Sequence, residues 1–281
     1  MNTLALDALT QSVIDRFADT PNPKLRELMG LLVKHLHAFA REARLTEAEW
    51  FEGIRFLTEV GQKCSDVRQE FILLSDVLGL SMVTVEINNG KPPGCTDATV
   101  FGPFHVEGAP KYDNGQDIAN GAVGRPSRVQ GRVLSPQGSP IACATIEVWQ
   151  ADDEGLYDVQ KAGLDHAQAR GILQSRSDGS FDFHSVVPEP YPIPTDGPVG
   201  QLLEATRRSP WRPAHLHFMI KAQGYETLIT HVFRRGDHYL QDDPVFGVRD
   251  SLVADWVPQD DGTTLLNFDF ILNPVSAGHA G

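Results

Sequence analysis

Cysteine is scarce: Cys64, Cys95 and Cys143 are three in 281 residues, far apart and odd in number. That pattern fits reduced thiols in a cytoplasm better than a disulfide framework. There is no C-x-x-C pair, no P-loop and no G-x-G-x-x-G run, so the common redox, phosphate-cradling and dinucleotide fingerprints are missing. No apolar stretch reaches the length that spans a bilayer. Positive charge is also short, with 24 Lys and Arg against 37 Asp and Glu and a formal charge of −13. Nucleic acid and anionic membranes favour a basic face, so neither is expected as a partner. A small anionic substrate met by a local arginine stays compatible. The first fifteen residues carry no Lys or Arg and include Asp7, so no secretory signal is visible and a cytoplasmic location is expected.

What is present falls into two parts. Residues 1 to about 90 read as successive amphipathic helices. Asn22-Pro23 is a helix start, a capping residue followed by proline in the first turn. Thr46-Glu47-Ala48-Glu49 is a capping box leading into Trp50, Phe51, Ile54 and Leu57. A third apolar run passes through Phe71, Ile72, Leu74, Leu78, Leu80, Val83 and Val85. Breakers then intervene at Asn88-Asn89-Gly90-Lys91-Pro92-Pro93-Gly94. Beyond them short strand-like runs alternate with Gly/Pro/Asp turns, at 129–134, 144–149, 180–186, 214–220, 227–233 and 265–272, as in a β-sandwich. The expected fold is mainly β, with an N-terminal α-helical domain over 1–95 and a β-sandwich over 96–281.

Within the run 214–220, His215 and His217 are two apart on a strand and project from one face, with Leu216 on the other. Two imidazoles side by side are half of a metal site, or a pair satisfied by hydrogen bonds in a sandwich. The same tripeptide at His35-Leu36-His37 lies in a helical run, where residues two apart do not face each other. Those two histidines are read as surface or tunnel-lining, not as ligands.

A metal needs further ligands, and no cysteine lies near His215 and His217, which weakens structural zinc. Asp152, Asp153, Glu154 and Glu189 are candidate carboxylates. Two of the five tyrosines are also conspicuously placed. Tyr157 ends an acidic turn after a strand, and Tyr191 stands between prolines that stiffen its loop. Each is either a ligand or a packed aromatic with its hydroxyl hydrogen-bonded. From the residues alone, a zinc or Fe(II) site on His215, His217 and a carboxylate, and a metal-free sandwich binding module, both stay open.

The order Tyr157, Tyr191, His215, His217, set in Gly-Leu-Tyr, Pro-Tyr-Pro and Arg-Pro-Ala-His-Leu-His, resembles the intradiol ring-cleaving dioxygenases over nearly the whole chain. The resemblance implies a β-sandwich catalytic domain behind an N-terminal helical linker and dimerisation domain. It also implies one non-haem Fe(III) per subunit, held by Tyr157, Tyr191, His215 and His217. Phenolate is a hard anionic donor that suits Fe(III), and imidazole is acceptable to it. By the same resemblance, the ferric ion draws electron density from a bound catecholate, O2 attacks the ring, and a muconate results. Tyr191 is then the ligand that leaves as substrate chelates, taking a proton, while Tyr157 stays. Arg212 stabilises negative charge developing on the substrate.

The resemblance also places the substrate-binding residues at Leu73, Asp76 and Val77, at Val100, Phe101, Gly102 and Pro103, and at Arg212 and His231. The run Thr-Val-Phe-Gly-Pro-Phe-His-Val-Glu-Gly-Ala-Pro, and His231 in Leu-Ile-Thr-His-Val-Phe, resemble hydroxyquinol 1,2-dioxygenases more than catechol enzymes. Asp76 puts a carboxylate where plain catechol presents a C–H; a buried acid rewards a third hydroxyl that donates to it. Its bland alternative is a helix cap after Ser75. Hydroxyquinol is therefore the expected substrate, with catechol, chlorocatechol and chlorohydroxyquinol as alternatives. The resemblance further implies a homodimer through the helices and a phospholipid in a tunnel there. The stripe Leu28, Leu32, Leu36 is consistent with both.

Overall fold

The computed structural model describes residues 3–65 and 68–275. They fall into two compact units that divide between Glu59 and Val60. The first holds α1 (Thr3–Asp15), α2 (Pro23–Glu42) and most of α3 (Glu47–Lys63). Asn22 caps α2 as its neighbours dictate, its side chain accepting from the backbone N–H of Lys24 and Leu25 at 2.9 and 3.1 Å. The Thr46/Glu49 box closes reciprocally ahead of α3, with Glu49 N–H to Thr46 Oγ1 at 3.2 Å and Thr46 N–H to Glu49 at 2.9 Å. His35 is exposed and His37 half-buried against Thr10, so this pair does not converge. Leu25, Leu28, Leu32, Leu36 and Phe39 of α2 and Trp50, Phe51, Ile54 and Leu57 of α3 are solvent-exposed in the chain alone.

In the second unit the third apolar run becomes two helices, α4 (Glu70–Val77) and α5 (Leu80–Asn88), broken at Leu78–Gly79. Asp76 lies in the last turn of α4 and α5 starts from Gly79, so the carboxylate is not a cap. The strands follow: β1 (Pro126–Leu134), β2 (Thr145–Gln150), β3 (Arg170–Gln174), β4 (Ser180–Val186), β5 (Tyr191–Pro192), β6 (Trp211–Arg212), β7 (His215–Lys221), β8 (Leu228–Arg234), β9 (Val253–Ala254), β10 (Trp256–Pro258), β11 (Thr264–Asn267) and β12 (Phe270–Ile271). A short helix, α6 (Pro198–Ala205), lies between β5 and β6.

One sheet runs β10-β11-β1-β12, with β4 also paired to β1; the other runs β3-β2-β7-β8-β9. Between them lies one apolar core to which β1 gives Val129 and Val133, β4 gives Phe181 and Phe183, and β7 gives Leu216, Phe218 and Ile220. This is the expected sandwich, with inward side chains at every second position. The run 265–272 splits because β11 and β12 pair with successive parts of β1. Gly131 sits at the handover, where a Cβ would stand 1.8 Å from the Phe268 carbonyl oxygen; glycine admits that approach. β3, β5, β6, β9, β10 and α6 were not legible as periodic runs, being short or lacking an alternating face. Among the described residues no helix is long and apolar enough to cross a membrane.

Candidate metal centre

The site is built on the face of the second sheet that turns away from the core. Because β7 sends Leu216, Phe218 and Ile220 into the core, its alternate residues His215, His217 and Met219 must face the other way. Register then assembles a row across three strands, with Trp149 of β2 and His231 of β8 opposite His217 on its two sides. Trp149 stacks on the His217 ring at 4.8 Å and 15°.

The tyrosines arrive from two loops. Tyr157 follows β2 through a turn that Asp152 closes by accepting from the N–H of Glu154 and Leu156. Tyr191 is fixed by the β5–β6 pair, which sets it directly opposite Arg212. Tyr157 Oη lies 2.8 Å from His217 Nε2 and 3.2 Å from Tyr191 Oη. His215 Nε2 lies 3.1 Å from His217 Nε2, and Arg212 is 3.4 Å from both Tyr191 Oη and His215 Nε2. Two phenol oxygens and two imidazole nitrogens thus meet, all four side chains buried.

The protonation states follow from the surroundings. The Pro213 carbonyl can only accept, so His215 donates to it from Nδ1 at 2.7 Å and leaves Nε2 bare. Burial, then the Arg212 charge, holds the His215 imidazole well below its ordinary range; burial and the neighbouring His215 do the same to His217. Both are neutral ligand forms. Burial pushes the Tyr157 phenol well above its ordinary value, as does the neighbouring Tyr191, while Arg212 and Arg170 oppose them. A phenol so placed ionises when a cation compensates it, so a metal bound here would release protons. Hard oxygen donors beside neutral imidazoles suit a trivalent, oxygen-preferring metal.

His215, His217 and His231 also place one nitrogen each within 4.8 Å of the others. Yet His231 Nε2 meets His217 at Nδ1, 2.8 Å away, while Tyr157 and His215 meet His217 at Nε2. One ion cannot take both sides of that ring. Among the described residues no carboxylate joins this cluster. Asp152 pairs with Lys161 and Glu189 with Arg125 and Arg234, while Asp153 and Glu154 face solvent. A two-histidine, one-carboxylate site has no carboxylate to use.

A cavity of about 680 Å³ opens beside the cluster, lined by Asp76, Ser81, Val85, Val100, Phe101, Gly102, Pro103 and Phe104 among others. Gly102 abuts His217, and Phe104 stacks on Tyr157 at 4.4 Å, so this wall borders two of the four donors. Leu73 and Asp76 share a smaller adjoining hollow, whereas Val77 and His231 are fully buried. Burial raises the Asp76 carboxyl above its usual range, against the Ser81 hydroxyl and Arg212, which lower it.

Sequence reasoning missed two buried ion pairs flanking the tyrosines. Arg212 bonds Asp243 through Nε at 3.1 Å, and Asp243 also accepts from Gly247 N–H at 2.9 Å. Burial alone would lower the Arg212 pKa, but Asp243 and the two phenols hold it up and keep the cation. On the other side Arg170 grips Asp158, the residue after Tyr157, and donates to the Phe104 carbonyl at 3.0 Å. Asp243 is distant in sequence from Arg212 and in a turn, so no local pattern announces it.

Residues 22–96 match the family model described as catechol dioxygenase N terminus, and 100–274 that described as dioxygenase. The chain is 65% identical to the 6-chlorohydroxyquinol 1,2-dioxygenase of Cupriavidus pinatubonensis, over 95% of this chain and 97% of that one. The chain belongs to the intradiol dioxygenase family. Within that family it is also 50% identical to the hydroxyquinol 1,2-dioxygenase of Nocardioides simplex, over 95% of each chain. Its fold matches a crystal structure of hydroxyquinol 1,2-dioxygenase from Pseudomonas putida DLL-E4, at a TM-score of 0.91 and 44% identity over 97% of this chain and 99% of that one. Members of this family are non-haem iron enzymes, and membership removes the reading of a metal-free binding module.

Proposed function

We propose that this protein cleaves hydroxyquinol, 1,2,4-trihydroxybenzene, with O2 between its two adjacent hydroxylated carbons. The product is 3-hydroxy-cis,cis-muconate, the tautomer of maleylacetate, in aromatic degradation. Tyr157, Tyr191, His215 and His217 hold one Fe(III) per subunit. The convergence of two phenol oxygens and two imidazole nitrogens carries this reading. Bound there, Fe(III) supplies a Lewis acid that suits a chelating catecholate and draws electron density from it.

The chain's own residues do the rest. Tyr191, 3.4 Å from Arg212, would be one of the residues holding the metal, and its hydroxyl oxygen is placed to take the proton that a substrate hydroxyl loses on binding. The Arg212 guanidinium, kept charged and oriented by Asp243, steadies negative charge growing on the ring oxygens. Asp76, buried in the cavity wall with Ser81 as its neighbour, accepts a hydrogen bond from the third hydroxyl. Leu73, Val100, Phe101, Gly102 and Pro103 shape the wall that excludes water, and Val77 is buried in the same helix as Leu73 and Asp76. Residues 1–95 form the linker and dimerisation domain and 96–281 the catalytic domain. The exposed Leu28, Leu32 and Leu36 support pairing of two copies there, with a phospholipid in the tunnel between them.

A chlorinated hydroxyquinol is the second reading. The named substrate of the relative from Cupriavidus pinatubonensis and the apolar Val85 and Val106 along the cavity favour it.

The deciding experiment is a visible spectrum of the iron-loaded protein, before and after hydroxyquinol is added without O2. A wine-red tyrosinate-to-iron band that shifts on substrate is expected. A colourless, iron-replete protein overturns the two-tyrosine site.

A further inference from the structure

We propose that His231 and Thr99 are positioning residues that fix the tautomer and tilt of His217 and tie that ligand to the substrate wall. The inference rests on the metal reading above. To offer Nε2 as a lone pair, a neutral imidazole must carry its single hydrogen on Nδ1, and that N–H needs an acceptor. His215 has a backbone carbonyl for this purpose. His217 has none and meets His231 Nε2 instead, at 2.8 Å. His231 must then carry its own hydrogen on Nδ1, and there it meets Thr99 Oγ1 at 2.9 Å. The chain of donors runs from His217 through His231 to Thr99, and His231 and Thr99 are both buried.

The same atoms admit the reverse order. Thr99 then donates to His231 Nδ1, His231 Nε2–H to His217 Nδ1, and His217 keeps its hydrogen on Nε2, facing the bare His215 nitrogen. Every residue stays neutral in both orders. A cation at Nε2 tolerates the first order alone, so metal loading selects it. The far end of the relay is also the start of the cavity wall. Thr99 N–H donates to the Ile229 carbonyl at 2.9 Å, and three residues on, Gly102 lies against the His217 ring. The wall and the ligand are therefore positioned together.

The relay is tested with His231→Leu, His231→Gln and Thr99→Val in the iron-loaded protein. The readouts are iron per subunit, the rate of iron loss to a chelator, the position of the tyrosinate band, and the melting temperature of each metal-free form. Leucine removes the acceptor, so iron should be held roughly 10–100-fold more weakly and the band should shift, as loss of an outer partner does elsewhere. The glutamine oxygen can accept from His217 while its amide donates to Thr99, so His231→Gln should restore iron affinity to nearly the parent value. Thr99→Val should fall between. The proposal is overturned if folded His231→Leu holds iron as tightly as the parent, or if His231→Gln fails as badly as leucine. Should the leucine variant not fold, parental iron affinity in Thr99→Val overturns it instead. A parent protein that takes up no iron sinks the metal reading and this one with it. A parent with the tyrosinate band and an equally tight leucine variant sinks this one alone.

Discussion

Gly102→Ala probes how closely the substrate wall is fitted to the metal ligand behind it. A Cβ at this position would stand 2.9 Å from His217 Cε1, roughly 0.6 Å inside the about 3.5 Å at which carbon atoms rest in contact. The ring has nowhere to go, with Trp149 stacked on its face and its Nδ1 bonded to His231. The backbone there is also left-handed, at φ +77°, which costs an alanine about 1–2 kcal/mol. Overpacking adds about 1–3 kcal/mol, so the total destabilisation should be ~2–5 kcal/mol. Gly138 supplies the control, with φ +79° and no atom within 4 Å of its would-be Cβ. Gly138→Ala should show the backbone cost alone. Urea unfolding of both variants, with iron content and kcat/KM for hydroxyquinol, separates the two contributions. Gly102→Ala should lose at least about tenfold in kcat/KM, the equivalent of ~1.4 kcal/mol, and Gly138→Ala should lose none. If the two variants are equally stable and equally active, the wall is not fitted to His217 and the reasoning fails.

Asp76→Leu should lower the preference for hydroxyquinol over catechol, read as the ratio of the two kcat/KM values; an unchanged ratio refutes the role given to its carboxylate. Asp158→Ala leaves Arg170 buried without its partner, so about 3–5 kcal/mol of stability should be lost. A change under 1 kcal/mol in the urea-derived stability would show that the pair is not structural. The metal-free protein should weaken in mild acid. His215, His217 and His231 are held neutral by burial, so the unfolded chain binds their protons first. Their contribution is full above the unfolded value near 6.5 and is lost as pH falls below it, at roughly 1.4 kcal/mol per group per pH unit. Asp76, which burial raises, works in the opposite direction, one group against three. Urea midpoints at pH 7.5, 6.5 and 5.5 check this, and a flat profile would contradict it.

Local sequence suffices for the helix starts at Asn22 and Thr46, the longer strands, and the shared face of β7 that carries its histidines. Each is set by neighbours a few residues away, through capping, turn chemistry or a period of two. The contrast between His215/His217 and His35/His37 was legible for the same reason, since strand and helix periods differ. Local pattern stops where partners lie far apart in the chain. Nothing in 240–247 marks Asp243 as the anchor of Arg212. Nor does 228–234 reveal that His231 meets the Nδ1 side of the His217 ring. The antiparallel register of β2, β7 and β8 decided that Trp149, His217 and His231 share one row. The β5–β6 pairing decided that Tyr191 faces Arg212. Which donors converge and which charges are buried are properties of packing at long range, and only the folded chain sets them.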